Sequence, residues 1–110
     1  MNKLQERAIK ASMRFLEAKG YDVIREHNGY IVANDNGGVV IASVKVRNID
    51  DGFGEIGDVD RSGFEREGIL FLVGHPEYVD IPLRFDELAL VVMGNDRAIL
   101  RHHINCLEKA

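Results

Sequence analysis

The stretch from residue 30 to residue 47 constrains the fold more than any other part of the chain. It reads Tyr-Ile-Val-Ala-Asn-Asp-Asn-Gly-Gly-Val-Val-Ile-Ala-Ser-Val-Lys-Val-Arg. The Asp-Asn-Gly-Gly segment predicts a tight hairpin turn, because Asn and Gly tolerate the positive φ that such turns impose. The run from Val39 to Val46 is almost continuously apolar and β-branched, so we expect a central strand covered on both faces.

Apolar spacing predicts the elements around this hairpin. Leu4, Ala8, Ala11 and Phe15 recur at intervals of three and four, which predicts a helix over 3–19 that ends at Gly20. The other predicted elements are a strand over 21–25, a helix over 59–73 capped by Asp58, strands over 83–93 and 98–100, and a short helix over 102–109. The pattern predicts an α/β fold with a central mixed sheet flanked by helices.

Composition narrows the class of protein. The 110 residues fit one domain, 1–110, and 45% hydrophobic content allows a real core. The sequence has no run of about 18 apolar residues, so it predicts no membrane-spanning helix. The N-terminus lacks the apolar core of a signal peptide. Cys106 is the one cysteine, which excludes an internal disulfide and favours a reducing, cytoplasmic location. The net charge of −4 argues against a dedicated nucleic-acid binder but allows a local basic patch.

Two cations at the end of the hairpin are the candidate binding residues. Lys45 and Arg47 share one strand face because side chains alternate with a period of two, and Ser43 lies beside them. They could bind a small anion or a phosphate group. The alternative is that both side chains simply reach water, as Lys and Arg usually do. The histidines lack metal-ligand spacing, so no metal site is predicted from them.

Five segments together resemble the YraN-type family of small bacterial predicted endonucleases, which have the restriction-endonuclease-like PD-(D/E)XK fold. Phe15-Leu16 with Gly20-Tyr21 is similar to the family's first helix and strand, and Ile31-Val32-Ala33 through Val44-Lys45-Val46-Arg47 to its catalytic hairpin. The other similar segments are Phe53-Gly54 with Val59-Asp60, Arg84-Phe85-Asp86, and His103-Ile104-Asn105.

The resemblance implies metal-dependent phosphodiester cleavage, in which carboxylates hold Mg²⁺ and a lysine helps to place the attacking water. Laid on the family pattern without a gap, the motif lysine falls on Lys45. The acidic positions hold Asn28, Tyr30 and Ser43, and the glutamate of the first helix falls on Ile9. Since neutral side chains are poor ligands for a hard cation, Lys45 is predicted to be a vestige of the catalytic set.

We therefore expect a catalytically degenerate endonuclease-like domain that binds nucleic acid or a protein partner, needs no cofactor and contacts no membrane. One alternative is an active, Mg²⁺-dependent endonuclease with relocated acids. The candidates for those acids are Glu26, Asp35, Asp50, Asp51, Glu55 and Asp86. Another alternative is a domain that self-associates, as a homodimer for example, through a sheet edge or an apolar helix surface.

Overall fold

A computed structural model describes residues 3–48, 60–93 and 97–107 of the chain. It has an α/β architecture in which two helices flank one sheet. The elements are α1 (Lys3–Ala18), β1 (Asp22–His27), β2 (Tyr30–Asp35), β3 (Gly38–Asn48), α2 (Arg61–Gly74), a 3₁₀ turn (Pro76–Tyr78), β4 (Leu83–Val92) and β5 (Ala98–His103).

The five strands lie in chain order, β1-β2-β3-β4-β5. β3 and β4 are parallel and every other neighbouring pair is antiparallel. The parallel pair requires a crossover between β3 and β4, and α2 lies in that connection. The prediction of a mixed sheet flanked by helices is confirmed, as is the central position of the strand that contains Val39–Val46.

Both hairpins turn on an Asn-Gly pair. Asn36 and Gly37 have φ values of 51° and 87°, and Asn28 and Gly29 have values of 53° and 82°. Two successive residues at positive φ are what a two-residue type I′ turn requires, and its twist matches that of the flanking strands. The second hairpin was predicted. The first is tighter than expected, because β1 continues through His27, two residues beyond the predicted end of this strand at residue 25.

The sheet separates two apolar clusters, one under each helix. The α1 side contains Leu16, Ile31, Val44 and Leu88, whereas the α2 side contains Val32, Ile41, Phe64, Phe71 and Cys106. Neighbouring β3 residues such as Val40 and Ile41 enter opposite clusters, as the strand period requires. The sheet therefore has two covered faces, and polar groups on either face are isolated from those on the other.

The predicted bounds of two helices need correction. α2 begins at Arg61, and its cap is Asp60, whose Oδ1 accepts a hydrogen bond of 3.0 Å from the Gly63 amide. The cap predicted at Asp58 lies outside the described residues. The predicted helix over 102–109 is wrong, because β5 runs through His103 and residues 104–107 form turns. Pairing with β4 outweighs the weak helical pattern there.

Within the described ranges, neither helix combines the length and the apolar character needed to cross a membrane.

Candidate anion-binding site

A row of polar side chains crosses the whole sheet on the side that α2 covers. The strand registers pair His27 with Tyr30, Tyr30 with Ser43, Ser43 with Glu87, and Glu87 with His103. Side chains paired in this way point to the same face of the sheet. The row therefore places an imidazole, a phenol, a hydroxyl, a carboxylate and a second imidazole side by side.

Lys45 pairs with an acid that the sequence did not single out. Its Nζ lies 3.2 Å from Oε2 of Glu87, whose side chain is 1% exposed, whereas the Lys45 side chain is 34% exposed. Among the described residues, neither carboxylate oxygen of Glu87 accepts a geometrically good hydrogen bond, and the buried Ser43 hydroxyl has no hydrogen-bond partner. The ammonium of Lys45 thus supplies a compensating charge to a buried carboxylate, and its removal would leave that charge without this partner.

The three positions predicted to have lost acids have local structural roles. Asn28 takes the positive φ of the first hairpin turn. Tyr30 packs its ring edge-on against Phe64, with ring centroids 5.4 Å apart. Burial and the nearby carboxylate of Asp60 raise the pKa of Tyr30. Ser43 is buried beside Glu87.

Three of the six acids proposed as relocated ligands are described, and each is engaged away from Lys45. Glu26 accepts a hydrogen bond of 3.0 Å from the Gly29 amide in the first hairpin turn. Asp35 and Asp86 both accept hydrogen bonds from Arg84. The other three candidates, Asp50, Asp51 and Glu55, lie outside the described residues.

Asp86 belongs to a buried network on the α1 side of the sheet. Arg84 donates two hydrogen bonds of 2.9 Å to its carboxylate, His102 Nε2 donates one of 2.7 Å and the Asn105 amide one of 3.0 Å. Burial by itself would raise the pKa of Asp86, but these hydrogen bonds hold the pKa below its usual value. Lys19 Nζ lies 2.8 Å from His102 Nδ1, so the ring proton is on Nε2. This network joins α1, β4 and β5.

The donor set around Lys45 does not fit the divalent metal that the family resemblance implies. Mg²⁺ is bound through carboxylates and usually keeps several waters. Here one carboxylate, Glu87, lies beside an ammonium group that would repel the ion. Across the described ranges, no group of three or more His, Cys, Asp or Glu residues is arranged to hold a metal ion.

Three cations line up on the α2 face at the end of the parallel strands. Lys45 and Arg101 flank Ala89 in one row of the sheet, and Arg47 follows Lys45 on the same face. These side chains and Glu87 line a cavity of about 20 Å³, which is room for one water-sized group. The prediction that Lys45 and Arg47 share a face agrees with the register, and Arg101 extends the set.

A much larger groove lies on the opposite face of the same sheet end, between α1 and the edge of the sheet. Its volume is about 620 Å³. The floor is aliphatic, and four cations line the groove. The cations are Arg7, Lys10, Arg14 and Arg97. No acid is among the lining residues that the structure describes. The groove is about thirty times larger in volume than the cavity beside Lys45.

The cations of α1 had a detectable signal in the sequence. Arg7, Lys10 and Arg14 are spaced by three and four residues, which places them on one helical stripe. The sequence gives no such signal that Arg97 and Arg101 lie at this end of the sheet, because β5 reaches it only through its pairing with β4.

Cys106 is a structural thiol. It is 8% exposed and packs in the α2-side cluster. Burial, with a smaller contribution from the charges of Glu87 and Asp86, raises the pKa of this thiol to about 11. At neutral pH the sulfur is therefore protonated and a poor nucleophile.

The sequence was compared with models of protein families and with curated proteins, and it matches none of them.

Proposed function

We propose that this chain is a nucleic-acid-binding module with a catalytically degenerate, restriction-endonuclease-like fold. One observation carries the proposal. Four of the 14 Lys and Arg residues of an acidic chain, Arg7, Lys10, Arg14 and Arg97, line one groove on the α1 face of the sheet. Such a concentration of positive charge is typical of surfaces that bind the phosphate backbone.

The shape and lining of the groove favour contact with the backbone over reading of the bases. Arg7, Lys10 and Arg14 lie within eight residues of helix, and the seven rises of 1.5 Å between the first and the last separate them by about 10 Å along the axis. The floor between them is aliphatic, and none of the described lining residues has an aromatic ring on which a base could stack. We therefore expect binding that depends strongly on salt and little on base sequence.

The resemblance to the endonuclease family supports the fold half of the proposal, and the loss of acids at Asn28, Tyr30 and Ser43 supports the loss of catalysis. The pairing of Lys45 with Glu87 adds a structural reason for the lysine to be present without catalysis. Incubation of the protein with duplex and single-stranded DNA and RNA in Mg²⁺ or Mn²⁺ should leave all substrates intact. Cleavage that is lost in Lys45→Ala, with the variant still folded by circular dichroism, would overturn this part.

Binding is tested by fluorescence anisotropy with a labelled 30-base-pair duplex and its single strands, in EDTA, between 50 and 300 mM salt. Arg14→Glu should weaken duplex binding by about tenfold and reduce the salt slope by about one. Arg61→Glu is the matched control, because Arg61 is an exposed arginine at the start of α2, on the other side of the sheet.

Two results would contradict the proposal. Binding that stays undetectable at 50 mM salt with 100 µM protein would exclude a nucleic-acid-binding role. Equal weakening by Arg14→Glu and Arg61→Glu would show that net charge, and not the cationic end of the sheet, governs the association.

A further inference from the structure

The groove beside α1 combines charge with an aliphatic floor, and a phosphate backbone would contact the cations while leaving the floor in water. α1 packs against β1 and β3. The part of the sheet formed by β4 and β5 is therefore partly open on this face, with Val92 half-buried and Ala98 exposed. These two residues line the groove together with Leu4 and Ala11 of α1. A ligand that covers this apolar surface gains binding energy that contact with the cations alone does not supply.

The side chains that line the groove fall into two chemical classes. Among those that the structure describes, four are Lys or Arg and the other seven are Leu, Val or Ala. Hydroxyl, amide, imidazole and carboxylate groups are absent from this described lining, and the acids of α1, Glu6 and Glu17, are not part of it. A ligand with hydrogen-bonding groups along its length would leave them unpaired against such a floor, at a cost for each group. The lining therefore favours a hydrocarbon chain over a peptide or a sugar.

We propose that the groove binds a phosphate monoester that carries one long hydrocarbon chain. The chain would lie along the aliphatic floor. The head group would bind between Lys10, Arg14 and Arg97, which are exposed and line the groove. Arginine binds phosphate oxygens through paired, charge-assisted hydrogen bonds. The volume of the groove, about 620 Å³, lies in the range of roughly 300–1,000 Å³ that small-molecule sites occupy.

The cations of the groove favour a phosphate head group over a carboxylate. A phosphate monoester carries a charge of about −1.5 to −2 at neutral pH, whereas a carboxylate carries a single charge. Lys10, Arg14 and Arg97 can compensate the larger charge, since no acid is among the described lining residues. Decanoate should therefore bind at least threefold more weakly than decyl phosphate.

The amphiphile would occupy the groove that the proposed function assigns to nucleic acid, and it would use the same cations. Its own binding does not depend on that function, because it requires the floor and the cations alone. A further consequence does rest on the proposed function: the two ligands compete. The groove would then release nucleic acid as the concentration of the amphiphile rises.

Chain length gives the sharpest test of the floor. Isothermal titration calorimetry measures binding of octyl, decyl and dodecyl phosphate at 150 mM salt, without nucleic acid and below the concentration at which each forms micelles. Complete burial of one methylene strengthens binding about fourfold, the equivalent of about 0.8 kcal/mol. A groove leaves one side of the chain in water, so about half of each methylene is buried and two further carbons should strengthen binding about fourfold. Inorganic phosphate at 1 mM should show no binding.

Variants of α1 separate the chain from the head group. Ala11→Phe places a ring in the groove without changing its charge, and it should weaken binding of dodecyl phosphate at least tenfold. Ala18→Phe is the matched control, because Ala18 is an exposed alanine of the same helix outside the described lining, and it should bind as the wild type does. Arg14→Gln should weaken binding about fivefold and keep the dependence on chain length. Circular dichroism confirms that each protein stays folded with and without ligand.

Several results would overturn the proposal. Dodecyl phosphate that shows no binding at 1 mM would do so, as would equal binding of the three chain lengths. Decyltrimethylammonium, with a positive head group, should bind at least tenfold more weakly than decyl phosphate, and equal binding would refute the role of the cations. Equal effects of Ala11→Phe and Ala18→Phe would place the chain elsewhere on the protein. Equal binding of decanoate and decyl phosphate would refute the choice of head group.

Displacement of a labelled 30-base-pair duplex, followed by fluorescence anisotropy at 50 mM salt, tests the competition. Dodecyl phosphate at ten times its dissociation constant should release most of the duplex, and a duplex that stays bound would overturn the shared site. The two proposals fail separately. Amphiphile binding with no detectable duplex binding would refute the proposed function alone, whereas duplex binding with no detectable amphiphile binding would refute the present inference alone.

Discussion

Replacing Lys45 with methionine separates a structural role of this lysine from a catalytic one. Methionine keeps much of the length and apolar character of the lysine stem but removes the ammonium group. Glu87, 1% exposed, then retains a buried carboxylate without the ammonium group that lies 3.2 Å from it in the wild type. Removing one partner of a buried ion pair typically destabilises a protein by about 3–5 kcal/mol.

One feature of the pair reduces this figure. The Lys45 side chain is 34% exposed, so water already reaches one end of the pair. We therefore expect a loss of about 2–4 kcal/mol at pH 7.

Urea denaturation followed by circular dichroism at pH 7 measures the stability difference between wild type and Lys45→Met. Glu87→Gln should destabilise less than Lys45→Met, because the lysine left behind can extend into water. In the Lys45→Met background, Glu87→Gln should recover part of the lost stability at pH 7. Lys10→Met, at an exposed position of α1, is the control and should stay within about 0.5 kcal/mol of wild type. A Lys45→Met variant as stable as wild type would refute the assigned role of the pair.

Three further predictions concern other parts of the fold. Gly63→Ala should lower the free energy of unfolding by about 1–3 kcal/mol, because its Cβ would overlap the Tyr30 hydroxyl and the Asp60 carboxylate. Gly74→Ala, with open space around it, should raise the free energy of unfolding by up to about 1 kcal/mol. Equal effects of the two substitutions in thermal melts would contradict the packing around Gly63. Burial of Cys106 raises its thiol pKa to about 11, so at pH 8 DTNB should modify the native protein at least tenfold more slowly than the urea-unfolded chain, and equal rates would disprove its burial. The hydrogen bonds that hold the pKa of Asp86 below its usual value stabilise the fold above about pH 4, and this contribution is lost as pH falls through the lowered pKa. Urea titrations from pH 2 to pH 6 should show that decline in stability in the wild type and not in Asp86→Asn. A decline shared by both proteins would assign it to other groups.

The elements that could be predicted from the sequence are those that depend on nearby residues. The turn at Asn36 and Gly37, the apolar run of β3 and the stripe of α1 each arise within a few residues of chain, and each agrees with the structure. The failure at residues 102–109 has the opposite cause. Ile104 and Leu107 suggested a helical face, but pairing of His103 with Glu87 on β4 fixes the preceding residues as strand. Tertiary contacts outweigh a weak local preference.

The sequence predicted Lys45 and Arg47 as binding residues but not the groups around them. Glu87 lies 42 positions after Lys45, and no spacing rule relates residues on parallel strands joined by a crossover. Asp86, a candidate relocated ligand, faces the other side of the sheet and is hydrogen-bonded to Arg84 and His102. A shift of one residue along β4 would exchange the faces of these two acids, and only the strand register excludes it.

By itself the sequence determined the order of helices and strands up to β5, the tight second hairpin and the replacement of the expected acids by Asn28, Tyr30 and Ser43. The tertiary structure decided which acid neutralises Lys45 and which cations gather at one end of the sheet. The physical reason is the range of the interactions. Turn geometry and apolar periodicity act between neighbours in the chain, whereas charge pairs and grooves form between residues that only the register of β3, β4 and β5 and the packing of α1 bring together.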